Sequence, residues 1–138
     1  MIIIVYLEVI QLKHGVEIVY IIMIILWLSI DEYKDDDKAF IFTLKNPHGI
    51  KPSKFMKKKD SNRAIFCTPY YGPIFGNGPD IGIDDNCNRD KGGWTNFGNS
   101  NSSYECSSPL KSSLFVKTAG PDQQNDFKVS DYEVFTYN

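Results

Sequence analysis

Histidine is almost missing from this chain: His14 and His48 are the two it has. Nucleophilic catalysis through a serine or cysteine needs a base within hydrogen-bond reach. Here one histidine stands in an apolar N-terminal stretch and the other in a turn, so hydrolase chemistry has thin support. Cysteine is scarce as well, and Cys67, Cys87 and Cys106 form no Cys-x-x-Cys pair, which removes the usual zinc spacing. Three, an odd number, suits reduced thiols in a cytosolic protein; the sharper alternative is a Cys87–Cys106 disulfide stapling the loop between them. No basic neighbour that would lower a thiol pKa is identifiable beside Cys67, which leaves peroxide chemistry there without a base. Charge of one sign is lacking too. The 15 basic and 17 acidic residues sum to −2, too balanced a chain to be concentrated on nucleic acid or acidic membranes. Gly72, Gly76 and Gly78 make neither Gly-x-Gly-x-x-Gly nor a nucleotide loop ending in Lys-Ser/Thr. Asp84, Asn86, Asn88 and Asp90 alternate as calcium ligands do, but Arg89 and Thr95 stand where an EF-hand loop places Gly and an acid. No metal or cofactor is expected.

A long apolar span is also wanting. Ile18 to Ile30 is uncharged for 13 residues, whereas crossing a bilayer takes about 20. Residues 1–30 are nevertheless dominated by Ile, Val and Leu, and three readings stay open. The β-branched content favours a hairpin of Ile2 to Leu12 and Val16 to Ile25 around Lys13-His14-Gly15. A membrane anchor through residues 18–30 is the second reading, and a segment not native to this fold is the third. A secretory signal fits poorly, because the basic residues lie inside the apolar part and no small-residue cleavage site follows.

What is present is one domain's worth of chain, 138 residues with 14% aromatics, mostly Phe and Tyr in short β-branched runs. That composition suits an all-β sandwich. Asp31 to Lys38 reads as a solvated acidic run and Ala39 to Leu44 as a strand. Asn46-Pro47-His48-Gly49 has the residues of a type I turn, and Lys54, Lys57, Lys58 and Lys59 read as a solvated loop. Arg63 to Cys67 and Asp80 to Ile83 are strand-like segments on either side of the stretch that organises the chain, Tyr70 to Ile83. Five Gly or Pro residues between Gly72 and Pro79 predict a shaped loop there, with no regular helix or central strand running through it. Asp84 to Ser113, rich in Asn, Ser and Gly, reads as irregular surface and includes the glycosylation sequon Asn101-Ser102-Ser103. Ser113 to Val116 and Tyr132 to Tyr137 are the last strand candidates, with Gly120-Pro121-Asp122 as a turn signal between them.

Lys38-Ala39-Phe40-Ile41-Phe42-Thr43-Leu44, then Ala64-Ile65-Phe66, then Tyr71-Gly72-Pro73-Ile74-Phe75-Gly76-Asn77-Gly78-Pro79-Asp80-Ile81, then Tyr132-Glu133-Val134-Phe135, resembles the TLDc domain in order and spacing. Members of that family carry a Phe-rich strand, a Tyr/Phe-Gly-Pro-x-Phe-Gly loop followed by an Asp-hydrophobic strand, and a closing Glu-Val-Phe-like strand. The resemblance covers about Trp27 to Asn138. It implies a mainly β fold, an antiparallel two-sheet β-sandwich with short helices, and it divides the chain into residues 1–30 and a domain over 31–138. The N-terminal part of the family domain, which includes a Gly-Gly-Tyr-like segment shortly before a Trp, is missing or replaced: Trp27 is in place but Val16 to Leu26 lacks those glycines. Either residues 1–26 supply a substitute hairpin, or the sheets keep unpaired edges.

The resemblance implies no enzyme activity and no catalytic residue. It implies a cytoplasmic protein-interaction module, linked to protection against oxidative damage and to the vacuolar proton-pumping ATPase. At the matching positions stand Gly72, Pro73, Phe75, Gly76, Gly78, Asp80 and Glu133, with structural roles expected for them and with Phe42 and Phe75 expected in the core. The rival from another class is an extracellular or surface β-sandwich that binds a ligand or glycan through residues 84–113.

Overall fold

A computed structural model describes residues 2–10, 18–25, 31–85, 87, 89, 92–111, 114 and 125–137. Among them the chain is mainly β. The apolar start is two strands, β1 (Ile2–Ile10) and β2 (Ile18–Ile25), paired antiparallel from Ile3 opposite Ile25 to Ile10 opposite Ile18. Their β-branched residues lose rotamer freedom in a helix and fit a pleated surface. Among the described residues no helix is long and apolar enough to cross a membrane.

The remaining strands are β3 (Glu32–Lys34), β4 (Phe40–Thr43), β5 (Ser53–Met56), β6 (Ile65–Cys67), β7 (Ile74–Phe75), β8 (Ile81–Ile83), β9 (Gly93–Thr95), β10 (Asn125–Phe127) and β11 (Val129–Tyr137). They form a three-stranded sheet in the order β11-β1-β2, a six-stranded sheet β10-β9-β8-β7-β6-β3, and a β4-β5 pair, with β2 running beside β4. These antiparallel sheets make a β-sandwich. The chain passes between sheets at Lys128, exposed between buried Phe127 and Val129, as it leaves β10 for β11. A bulge then skips Ser130, so that Glu8 faces Asp131 and Val9 faces Val129; such bulges turn a strand and increase its twist. Of the short helices that accompany the sheets in the family pattern, the described residues show no α-helix and only 3-10 geometry, at Lys111 and Leu114.

Alternation decides the core. In β4, Ile41 and Thr43 are buried while Phe40 and Phe42 stay half-buried on the other face, with the Lys54 ammonium 3.7 Å from the Phe40 ring centre. Phe42 is therefore not in the core, contrary to expectation, because it is out of phase with Ile41. Phe75 is in the core as expected, and the largest fully buried side chains beside it are Tyr104, Phe97, Ile41, Ile81, Ile83 and Leu114. Phe55 meets Phe97 edge-on at 4.9 Å. Each such side chain contributes about 1.5–3 kcal/mol by leaving water.

Several polar stretches are more ordered than their composition suggests. The acidic run contains β3, paired with β6. The lysine-rich segment contains β5, and Lys57 is buried, with its ammonium 2.9 Å from Asp35 and 3.2 Å from Asp37. Burial alone would lower the pKa of Lys57, but the hydrogen bonds to Asp35 and Asp37 outweigh it and leave it raised. Residues 84–113 are not irregular surface either: they supply β9 and bury Cys87, Phe97, Ser102, Ser103 and Tyr104. The Asn46 turn forms as predicted, its side-chain oxygen accepting from the amides of His48 (3.1 Å) and Ile50 (3.0 Å), with Gly49 at φ +66°. The strand predicted over Ser113 to Val116 lies outside the described residues except Leu114, which is buried in the core; Gly120, Pro121 and Asp122 also lie outside them.

This phase of the pattern predicts that Phe97→Ala lowers the unfolding free energy by about 3–5 kcal/mol in urea titration, and Phe42→Ala by less than half as much. Equal losses at the two positions would contradict the assignment of faces.

Candidate functional site

The stretch Tyr70 to Ile83 does two things in the fold. First, it contains a strand that its glycines and prolines disguise. Ile74 and Phe75 pair with β6 on one side and β8 on the other, in the interior of the six-stranded sheet. The prediction that no central strand passes here is corrected. Pro73 stands just before the paired residues and offers only its carbonyl, which accepts from the Ile83 amide at 3.0 Å; Gly76 stands just after them at φ +72°, its amide donating to Ala64 O at 2.9 Å. A strand of two residues fits between the breakers.

Second, it buries an acid. Asp80 is 0% exposed, and its Oδ2 accepts from the Ser103 amide at 2.7 Å while Oδ1 has no hydrogen-bond partner. A Cβ on Gly76 would collide with this carboxyl group, so the turn closes over Asp80 only because residue 76 has none. Gly78 also has positive φ, +92°, but with its nearest neighbour, the Asn101 Cβ, at an ordinary 3.7 Å. Burial pushes the Asp80 pKa up to about 7, against the opposing pull of Ser102, the amides of Ser103 and Tyr104, and the Lys58 charge.

Ser103 fastens three segments. Its hydroxyl accepts from the Asn77 amide (3.0 Å) and the Ser61 hydroxyl (2.9 Å), and its carbonyl accepts from the Lys58 amide (2.8 Å). Beside it the Tyr104 hydroxyl donates to Ala64 O at 2.8 Å, and Tyr104 bridges to Lys57. On the far side of Asp80, Thr95 Oγ1 donates to Asp80 O at 2.6 Å.

The other face of the six-stranded sheet carries a different pattern. One register row crosses all six strands: Tyr33, Phe66, Ile74, Gly82, Trp94 and Asp126. The residues alternating with this row, Ile65, Phe75, Ile81 and Thr95, are buried in the core. Gly82 is needed because the Trp94 ring lies against it, 2.5 Å from where a Cβ would be. Tyr71 meets Trp94 edge-on at 5.7 Å, Tyr33 meets Phe66 at 4.8 Å, and the Arg63 guanidinium sits 4.8 Å from the Tyr33 ring centre. Tyr70 is 70% exposed, Tyr71 44% and Tyr33 38%. Beside the row, Phe66, Cys67, Thr68, Gly72, Pro73 and Ile74 line a shallow groove.

Of the residues singled out in the sequence, Gly72, Pro73, Phe75, Gly76, Gly78 and Asp80 come together in one turn-and-strand unit. Glu133 does not join them; it lies in β11, opposite Tyr6 of β1. Sequence reasoning missed Ser103, Lys57 and the row through Trp94. Only Trp94 left a trace, as an aromatic in the strand-like Gly93-Trp94-Thr95. Cys67, Cys87 and Cys106 are thiols, and burial pushes the Cys106 pKa up, away from thiolate. Among the described residues no group of three or more His, Cys, Asp or Glu is placed to hold a metal, and Asn86, Asn88 and Asp90 lie outside them.

The family model of the TLDc domain matches residues 25–138. No curated protein and no solved structure matches the chain.

The contact under the turn predicts that Gly76→Val abolishes the cooperative unfolding transition, because both the positive φ and the carboxyl below oppose a side chain. Gly78→Ala, strained in backbone alone, should fold with a loss of about 1 kcal/mol. A soluble Gly76→Val protein with wild-type circular dichroism would refute this account of the turn.

Proposed function

This chain belongs to the TLDc domain family, and from that premise we propose that it works as a non-catalytic protein-interaction module. The observation that carries this reading is the group of exposed tyrosines, Tyr33, Tyr70 and Tyr71, at the outer face of the six-stranded sheet. Tyr and Trp bring large apolar area at low entropic cost and are enriched where proteins dock. Tyr33 in β3, and Tyr70 and Tyr71 in the loop between β6 and β7, stay accessible, whereas the polar residues that composition points to are spent on holding loops together. The partner we propose, by analogy with the family, is a subunit of the vacuolar proton-pumping ATPase, met on the cytoplasmic side, with protection against oxidative damage as the physiological setting. Residues 18–25 are hydrogen-bonded to β1, so the reading uses no membrane anchor.

Replacing Tyr70 and Tyr71 by Ser should leave the unfolding free energy within about 1 kcal/mol of wild type, since both are surface positions. Affinity for the purified pump, read by biolayer interferometry, should fall at least about tenfold. No binding of the wild-type chain to the pump would overturn the partner, and undiminished binding of the variant would overturn the face.

A further inference from the structure

Asp80 is fully buried. One of its oxygens accepts the Ser103 amide and the other lacks a partner in hydrogen-bond geometry, and the pull of Ser102, the Tyr104 amide and Lys58 toward the charged form is outweighed by burial. A carboxylate so poorly solvated is costly, while a neutral carboxyl group in the same place is tolerated. The Gly76 turn covers it on one side and the Ser102–Tyr104 segment is bonded to it on another, so parting of the two would let water in. We propose that the Asp80 carboxyl group is a proton-operated latch, neutral when these two segments are closed on each other and ionised when they separate.

The groups facing Asp80 leave it as the one that changes charge. From the end of β5, Lys58 favours the ionised form. Lys57 beside it is occupied by Asp35 and Asp37, which follow β3. From the segment after β9, Tyr104 and Cys106 have their pKa values pushed up by burial, so both keep their protons at neutral pH. The latch also reaches the outer face. The Asn77 amide donates to Ser103 at 3.0 Å, and the Asn77 side-chain oxygen accepts from Arg63 at 2.9 Å and from the Tyr33 hydroxyl at 3.3 Å. Separation of the two segments therefore loosens the partner of Tyr33 at one end of the aromatic row. The latch itself stands whether or not that row binds a protein.

The direction follows from linkage. The acid holds its proton in the closed form up to about pH 7, and once open it would lose it near the ordinary carboxyl pKa of about 4. Opening therefore releases one proton between those limits, and closure is fully favoured below about pH 4 and progressively lost as pH rises to about 7. The experiment is amide exchange by NMR, corrected for intrinsic rates, together with 13C titration of the Asp carboxyl carbons. The Ser103 and Asn77 amides should show opening constants that rise about tenfold per pH unit between pH 5 and 6.5 and level off above about 7. They should exchange at least about tenfold faster than the Ile81 and Ile83 amides, which open only with the sheet. Asp80→Asn should abolish the slope. Should that variant fail to fold, the wild-type titration decides: an Asp80 midpoint above about 6 supports the latch and one below it overturns it. Exchange of Ser103 and Asn77 no faster than that of Ile81 and Ile83 would also overturn it.

Discussion

A carboxyl group without access to water, roofed by a residue that has no side chain, is the constraint on which the rest of this domain depends. Asp80 can occupy its place only because Gly76 turns above it with positive φ. Because Asp80 is there, the Ser103 amide has an acceptor, and Ser103 in turn ties Asn77, Ser61 and Lys58. Those are the points at which the β4-β5 pair and the long connection after β9 are held to the six-stranded sheet. Composition marks these residues as surface material. Their hydrogen bonds make them the joints of a sandwich whose core is supplied by Ile41, Phe55, Phe75, Phe97 and Tyr104.

The six-stranded sheet separates two kinds of work by its pleat. Inward, Ile65, Phe75, Ile81 and Thr95 face the core; outward, Tyr33, Phe66, Ile74, Gly82 and Trp94 make an apolar row with exposed tyrosines beside it. The hydrogen bonds that lead from the buried joint to Tyr33 run through Asn77, whose amide donates to Ser103 and whose side-chain oxygen accepts from Tyr33.

Elements with strong local signals were legible in the residues alone. The phenylalanine-rich β4, the Asn46 turn and the closing β11 are where periodicity and turn chemistry put them, because each is decided within a few residues of chain, and β1 and β2 take one of the three readings left open for residues 1–30, the paired strands that their β-branched content favours. The order of the Gly-Pro-x-Phe-Gly motif and its flanking strands was enough to reach the family. Elements whose identity depends on a distant neighbour were not legible. β7 is two residues between breakers and exists because β6 and β8 bracket it. Lys57 is buried because Asp35 and Asp37 arrive from another segment, and Ser103 is a serine in a serine-rich stretch until Asp80 is brought against it. The phase of Phe42 was misjudged because both Ile41 and Phe42 are apolar, and only the sheet packed against β4 selects which one faces in.

The sequence by itself determined the fold class, the family and the position of the turn, since backbone preferences of Gly and Pro and the period of apolar residues act locally and need no partner. Which polar groups are buried, which aromatic rings remain in water, and why Asp80 holds a proton far above the usual carboxyl range were decided only by the tertiary structure. Burial, desolvation and hydrogen-bond satisfaction belong to pairs of segments that are far apart along the chain, and no property of either segment alone carries them.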